Sequence, residues 1–286
     1  MGISEYGIVE IRYMYMNKKY LKINYVPGPN IGDNVFPYMM YKLGVPFTWS
    51  CHTEHKNIIS TGSIIGIGSK KDTIVWGSGI INANTQMHPE AIPVLVRGKY
   101  SSKSSDRARN VPIGDPAIAL PHFYKSDKHP QKIKGLTGII PHMIEYDRVV
   151  EYLKNSNISN SSYKIISPNA YYMKENFDKY IYDVMSCERV VSTSLHGIII
   201  ANAFGVPAAW WRFSDSLMGD DIKFIDYSSA FDHVLEKNEK IEEINNYWCP
   251  DESELKRVSD DIMNTNPLDT NILDEEYYTD VKSPRC

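Results

Sequence analysis

The sequence predicts an α/β protein made of two Rossmann-like halves that face each other across a cleft. Three observations predict it. Short apolar runs alternate with stretches of helical periodicity, the pattern of parallel strands joined by helices. Gly, Pro, Ser and Asn gather just after the strand-like runs. Two such series occur, separated by the Lys-rich polar stretch Lys125 to Lys134. The expected halves are residues 1–130 and 131–286. A chain of 286 residues suits one large or two medium domains.

In the first half, residues 7–24 alternate irregularly, as in Glu10 to Tyr15, and Tyr20 to Tyr25 alternates cleanly as a first strand. Pro27 to Asn34 reads as a turn. Val35 to Leu43 has helical spacing, with Asp33 or Asn34 as N-cap and Gly44 and Pro46 as the stop. Lys56 to Thr61, Asp72 to Trp76 and Pro93 to Gly98 read as buried strands, the first two followed by Gly/Ser turns. Ser101 to Arg109 reads as a polar helix and Val111 to Pro116 as a strand end. In the second half, Leu136 to Ile140, Lys164 to Ser167 and Arg189 to Val191 read as strands, with Tyr146 to Leu153 and Asn176 to Cys187 as helices. Leu195 to Phe204 is apolar enough for a buried helix, capped by Gly205 before Pro207. Trp210 to Asp215 reads as a loop whose aromatics cover the core, and Asp251 to Met263 as a last helix.

Bulk properties exclude several functions. A net charge of -4 without a Lys/Arg run argues against nucleic acid. Cys51, Cys187, Cys249 and Cys286 lie far apart with no CxxC pair, which implies reduced thiols, no disulfide framework and no zinc site. The histidines show neither HxH nor HExxH spacing, so no metal is expected. No run of about 18 apolar residues would span a membrane. The first residues lack the basic region and apolar core of a secretion signal, and Tyr6 breaks the myristoylation pattern. A cytoplasmic protein is expected.

Ligands of open parallel sheets sit beyond the carboxyl ends of the strands. The polar residues fall at such ends: Asn30 to Asp33, Ser63, Ser78, Arg97, Asp115, His142 and Ser192 to His196. Ser192-Thr193-Ser194-Leu195-His196-Gly197 is the most informative stretch. Its hydroxyls precede a helix N-terminus, where free N–H groups and the dipole favour an anion, and His196 sits in the first turn. On the residues alone, a phosphate cradle and a plain helix cap with a core histidine balance. For Asp33 an N-cap is the better reading; the functional one is a base or a ligand of sugar hydroxyls. Gly62 to Gly68 has neither GxGxxG nor Walker spacing and reads as a turn. Arg97 offers a fork for carboxylate or phosphate, although a lone Arg is ordinarily solvated. His142, directly after a strand, pairs with His196 as a second histidine of the same half. Lys223 is placed to add positive charge.

In their order and spacing these residues resemble the polysaccharide pyruvyltransferase family, its exopolysaccharide and capsule branch above all. The resemblance rests on Asn30 to Asn34, Val75 to Gly79, Val96-Arg97-Gly98, Gly114-Asp115-Pro116, Ile140-Pro141-His142, Ser192 to Gly197, and Gly219-Asp220 leading to Lys223-Phe224 and Asp226-Tyr227. It implies a GT-B-like pair of domains, the first on the acceptor side and the second on the phosphoenolpyruvate side. It implies transfer of pyruvate from phosphoenolpyruvate to two hydroxyls of a sugar as a ketal, with release of phosphate. Phosphoenolpyruvate is a co-substrate, and no cofactor is implied. The acceptor would be a saccharide or lipid-linked oligosaccharide that brings the enzyme to the membrane periphery. His196, His142 and Asp33 would be catalytic. Arg97, Lys223, Ser192, Ser194, Arg212, Asn30, Ser78 and Asp115 would bind substrates. Many relatives carry Arg-Leu-His-Gly where this chain has Ser194 in place of the Arg, and Lys223 or Arg212, or the hydroxyls with the helix N-terminus, would stand in. The alternatives are a GT-B glycosyltransferase with a nucleotide-sugar donor and an inactive sugar-binding relative.

Overall fold

A computed structural model describes residues 19–124, 129–156, 162–173 and 175–280. The stretch Glu10 to Tyr15, part of the Lys125 to Lys134 boundary, and Cys286 lie outside them. In chain order the elements are β1 (Tyr20–Asn24), α1 (Ile31–Leu43), β2 (Phe47–Trp49), β3 (Ile58–Ile59), α2 (Ile65–Gly68), β4 (Ile74–Trp76) and β5 (Ile92–Leu95). These are followed by α3 (Leu120–Phe123), β6 (Ile133–Ile140), α4 (Tyr146–Asn155), β7 (Tyr163–Ile165), α5 (Glu175–Met185) and β8 (Cys187–Ser192). The rest are α6 (Leu195–Ala203), β9 (Ala208–Trp211), α7 (Ile222–Ser228), β10 (Lys237–Asn238), α8 (Glu252–Asn264) and β11 (Tyr278–Thr279).

The strands form two sheets, as the alternation of strand and helix implied. In the first, β1, β3, β4 and β5 run in parallel, and β2 also pairs with β1 in parallel. Ile23 of β1 pairs with both Trp49 and Ile58, so β2 and β3 lie on opposite edges of β1. The parallel order is therefore β2-β1-β3-β4-β5. The second sheet is parallel throughout and runs β7-β6-β8-β9-β10. Each half thus repeats one doubly wound order, whose switch point lies between its first and third strands. Antiparallel β11 closes on β1, so the end of the chain returns to the first sheet.

Both faces of the central strands are covered, which is why Ile58-Ile59, Ile74 to Trp76 and Ala208 to Trp211 are apolar throughout. Ile58, Ile74, Trp76 and Leu95 face one large core, and Ile59, Val75 and Val96 face a smaller outer one. In the second sheet Ile140, Val190 and Trp210 enter that same large core, while Ile139, Val191 and Trp211 pack outward with Val149 and Leu153 of α4. The two halves therefore share one hydrophobic cluster, which also takes in Val35 and Phe36 of α1 and Ile198 and Ile199 of α6. Helix α8 packs onto the first half, where the Trp76 indole donates to the Ile262 carbonyl at 3.2 Å.

Several expectations are corrected. Helix α1 starts four residues before Val35, and its N-cap is Asn30, whose side chain accepts from the Gly32 N–H. Gly32, Asp33 and Asn34 are weak helix formers and hid the first turn. Ser101 to Arg109 folds as two 3-10 turns broken at Ser105. Trp210 and Trp211 belong to β9, a strand buried on both faces, and not to a covering loop. Cys187 and Cys249 are free thiols, whereas Cys51 is disulfide-bonded, against the expectation of reduced cysteines throughout.

Because one cluster spans both halves, a cavity at its edge should weaken the whole fold. Ile262→Ala removes a fully buried side chain from that cluster and is expected to cost about 2–5 kcal/mol. Urea unfolding followed by tryptophan fluorescence and by circular dichroism should show one transition, shifted to lower urea.

Candidate active site

The carboxyl ends of the two sheets meet. From the first half come Asn30 to Asp33 after β1, Ser78 after β4, Arg97 after β5, and Asp115. From the second come His142 after β6, Ser192 to His196 after β8, and Lys223 on α7. Glycines make the approach possible. A Cβ on Gly32 would sit 2.2 Å from Nδ1 of His196. One on Gly79 would sit 2.1 Å from the Arg97 guanidinium carbon, and one on Gly98 would sit 1.8 Å from the Asp226 carbonyl oxygen. One on Gly197 would meet Oγ of Ser192 at 2.2 Å. The glycines of the sequence motifs are thus seats for functional or anchoring groups. The first half also buries Asn24 and Ser60 at its switch point, where side-chain atoms of both lack partners.

Arg97 is fully buried and pairs with fully buried Asp226 of α7 at 3.0 Å. Its other donors reach Ser63 Oγ and the Ile80 carbonyl, each at 2.7 Å. Asp226 in turn accepts from the Tyr100 and Ser101 amides at 3.0 and 2.8 Å and from the Ser101 hydroxyl. This guanidinium ties the halves together and lends its positive charge to the site.

His196 is 8% exposed. Burial and the nearby charges of Arg97, Lys223 and His142 push its pKa down to about 3. Its Nε2 has no hydrogen-bond partner and lies 3.8 Å from Oδ2 of Asp115, which is equally unpartnered. Asp115 is completely buried, and desolvation lifts its carboxyl to about 6, although the Ala117 amide donates to its Oδ1 at 3.0 Å. His142 is driven to about 4 by burial and by Lys223. Its Nδ1 accepts from the Ile144 amide at 3.3 Å, so it also serves as a cap. Lys223, 8% exposed, has its pKa lowered by burial and then by Arg97. Among the described residues its amine meets the Met218 carbonyl at 3.4 Å, and the carboxylates of Asp221 and Glu145 act from farther off. Asp33, beside Gly32, is raised to about 6 by burial, against the hydrogen bond from Asn30 at 2.8 Å.

The remaining predicted residues divide by role. Ser192 Oγ is taken up locally, between the Ile140 and Ser194 carbonyls and the Ser194 amide. Ser78 Oγ donates to the Gly62 carbonyl at 2.9 Å and shapes that turn. Ser194 is the N-cap residue of α6 and makes no side-chain cap bond. Arg212 is neutralised by Asp215 and Asp221 at 2.6 and 2.8 Å. Among the described residues Arg97 and Lys223 are the cations whose charge acts on His196.

Sequence reasoning did not single out Asp226 or Glu145 as site residues. For Asp226 a signal existed, since it lies three residues after Lys223 and so shares its helix face. Glu145 carried none. It is fully buried, accepts from Ser214 Oγ at 2.5 Å and leaves Oε2 unpartnered. Among the described residues no group of three or more His, Cys, Asp or Glu side chains is placed to hold a metal ion, and no helix is long and apolar enough to cross a membrane.

The model of the polysaccharide pyruvyl transferase family matches residues 3–210, which takes in every first-half motif and the His196 turn. The chain belongs to the polysaccharide pyruvyl transferase family. It is 31% identical over 225 residues to "Uncharacterized protein L143" of Acanthamoeba polyphaga mimivirus, covering 75% of this chain and 76% of that one. No solved structure matches. Within this pyruvyl transferase the match ends before Lys223 and Asp226, the two α7 residues that complete the charged cluster.

Two outcomes are expected. Gly32→Ala should displace the His196 ring and lower turnover by about 10²-fold, the scale of a misplaced reacting group; melting temperature should be compared alongside. The second concerns pH. A histidine held neutral binds fewer protons folded than unfolded, so its stabilisation is present above its ordinary 6.5 and lost as pH falls toward about 3 for His196 and about 4 for His142. Asp33 and Asp115, raised to about 6, act in the opposite sense, losing stabilisation as pH rises from 3.8 to about 6. His196→Asn should therefore flatten the acid side of the stability profile between pH 6.5 and 4, measured by denaturant titration.

Proposed function

We propose that the protein transfers the pyruvyl group of phosphoenolpyruvate onto two hydroxyls of a sugar, forming a ketal and releasing phosphate. One observation carries this reading. His196, His142, Lys223 and Arg97 converge in a buried place; Arg97 is paired with Asp226 and His196 Nε2 stands 3.8 Å from Asp115, whereas among the described residues Lys223 and His142 have no carboxylate within ion-pair distance. Positive groups withdrawn from water without counter-charge are costly. A ligand with both a carboxylate and a phosphate supplies that charge, and the N-terminus of α6 adds free N–H donors. With Ser194 where many relatives carry arginine, and Arg212 already paired, Lys223 takes the phosphate-binding role.

The chemistry follows from the charge distribution. A proton goes to the methylene carbon of phosphoenolpyruvate, which becomes a methyl group and leaves a cationic, oxocarbenium-like carbon. A first sugar hydroxyl adds to that carbon and gives up its proton. A second hydroxyl displaces phosphate, forming the ketal, and its proton leaves with a base or with the phosphate. Neutral His196 becomes protonatable once an anion offsets Arg97 and Lys223, and then serves as the acid. Asp33, held near 6, serves as base toward the acceptor hydroxyls. Asp115, opposite His196 Nε2, stabilises the imidazolium. The halves act in a GT-B-like manner, the first presenting the acceptor and the second the donor. The acceptor is a cytoplasmic saccharide or lipid-linked oligosaccharide that draws the enzyme to the membrane periphery.

Incubation with phosphoenolpyruvate and a panel of aryl and lipid-linked galactosides should release phosphate and give a product heavier by pyruvate minus water. Release of nucleotide from a sugar nucleotide, with phosphoenolpyruvate left intact, would overturn the reading. His196→Ala should lower kcat by about 10²–10⁴-fold, the usual worth of a positioned acid or base. Lys223→Met should raise KM for phosphoenolpyruvate by about 10- to 100-fold, as for loss of a charged hydrogen bond. Phosphoenolpyruvate binding should also take up protons, more at pH 6 than at pH 8, because the bound anion raises the depressed histidines. Calorimetry in buffers of different ionisation enthalpy measures that uptake.

A further inference from the structure

An open groove of ≈ 770 Å³ lies away from the residues described above, on the face of the second sheet opposite the shared core. Arg148, Glu151, Tyr152 and Asn155 of α4 line it, together with Phe213 and Glu242. We infer that this groove is a second, saccharide-binding site, one that holds neutral sugar units of a polymer or oligosaccharide remote from the unit being modified. The polymer's identity as acceptor rests on the pyruvyl-transfer reading; the groove's chemistry stands on its own residues.

The first argument is a fixed aromatic wall. Phe213 packs edge-on to Trp211 and to Tyr152, with centroids 5.2 and 5.7 Å apart and both interplanar angles 74°. The Tyr152 hydroxyl donates to Glu242 Oε1 at 3.0 Å, which pins a ring that is still 38% exposed. An exposed, pre-oriented ring suits the C–H face of a pyranose, which needs apolar contact without losing hydration of its equatorial hydroxyls. The second is uncommitted hydrogen-bonding capacity. Glu151 and Asn155 stand one turn apart on one face of α4, and their side chains make no hydrogen bond among the described residues. A carboxylate and an amide at that spacing can take both the donor and the acceptor of neighbouring hydroxyls.

The third argument is charge. Two carboxylates outnumber one guanidinium, and Arg148 is already held over the Phe213 ring at 5.4 Å and against Ser216 Oγ at 2.9 Å. The groove therefore repels phosphate and nucleotide, unlike the His196 cluster, and suits a neutral polyol. The fourth is connection. Phe213 and Ser216 belong to the segment that leaves β9 and enters α7, the helix that carries Lys223. Ser214 of the same segment donates to buried Glu145, just before α4. One loop thus borders both places.

The test titrates the full chain with cellohexaose, maltohexaose and a β-galacto-oligosaccharide, with inorganic phosphate as the charged control. Intrinsic tryptophan fluorescence and ligand-observed NMR report binding, and Tyr152→Ala and Glu151→Gln, both at exposed positions, are compared with the parent at equal melting temperature. Saturable binding of a neutral oligosaccharide, weakened about tenfold or more in both variants with phosphoenolpyruvate affinity retained, is the expected result. Absence of oligosaccharide binding, binding equally tight in the variants, or phosphate binding that Tyr152→Ala and Glu151→Gln weaken each overturns the groove. Groove-dependent sugar binding without any turnover of phosphoenolpyruvate would instead overturn the activity and leave the groove standing.

Discussion

A guanidinium and a carboxylate, both removed from water, hold the architecture in place. Arg97 leaves the carboxyl end of β5 in the first half, and Asp226 stands on α7 of the second. Neither charge would tolerate burial alone, so each fixes the other and the groups around them: Ser63, the Ile80 carbonyl, and the Tyr100 and Ser101 amides. The glycines follow from this pair, because Gly79 leaves room for the guanidinium and Gly98 for the α7 backbone. A side chain at either place would separate the halves.

The same pair sets the electrostatics of the site. Arg97 is neutralised by Asp226 in the pairwise sense, yet its charge still depresses His196 and Lys223. His196, His142 and Lys223 are all biased toward their neutral forms, whereas Asp33 and Asp115 are biased toward protonation. Burial imposes both trends, since it disfavours whichever form is charged. The proposed transfer, which gives a proton to carbon and takes protons from hydroxyls, would use groups poised in this way.

The shared core ties together two sheets of the same strand order. Inner-face residues of both sheets meet α1 and α6 in a single cluster. Those two helices begin at the site, so the N-terminus of each is positioned by packing along its whole length. Gly32 lies in the first turn of α1 and His196 in that of α6, and their contact joins the two helix N-termini.

Much of this was legible in the sequence alone. Alternating strand and helix periodicities determined two parallel α/β sheets, because buried parallel strands must be apolar on both faces. The largely apolar run Leu195 to Phe204 and the cap at Gly205 marked α6, and the ordered motifs pointed to the pyruvyl transferase family. Local signals failed where long-range packing decided. Asn30 rather than Asp33 caps α1 because Gly32 must lie inside the helix to admit His196. Trp210 and Trp211 became a strand because each face of the second sheet needed a large apolar group. Arg97, read as a ligand of anions, is spent largely on Asp226, 129 residues away, and no pattern within a segment could show that pairing. Glu145 and the groove beside α4 were likewise invisible, since their partners come from the segments after β9. Periodicity reports which face of an element is buried; only the folded chain brings together groups distant in sequence, and their charges and shapes decide what each side chain does.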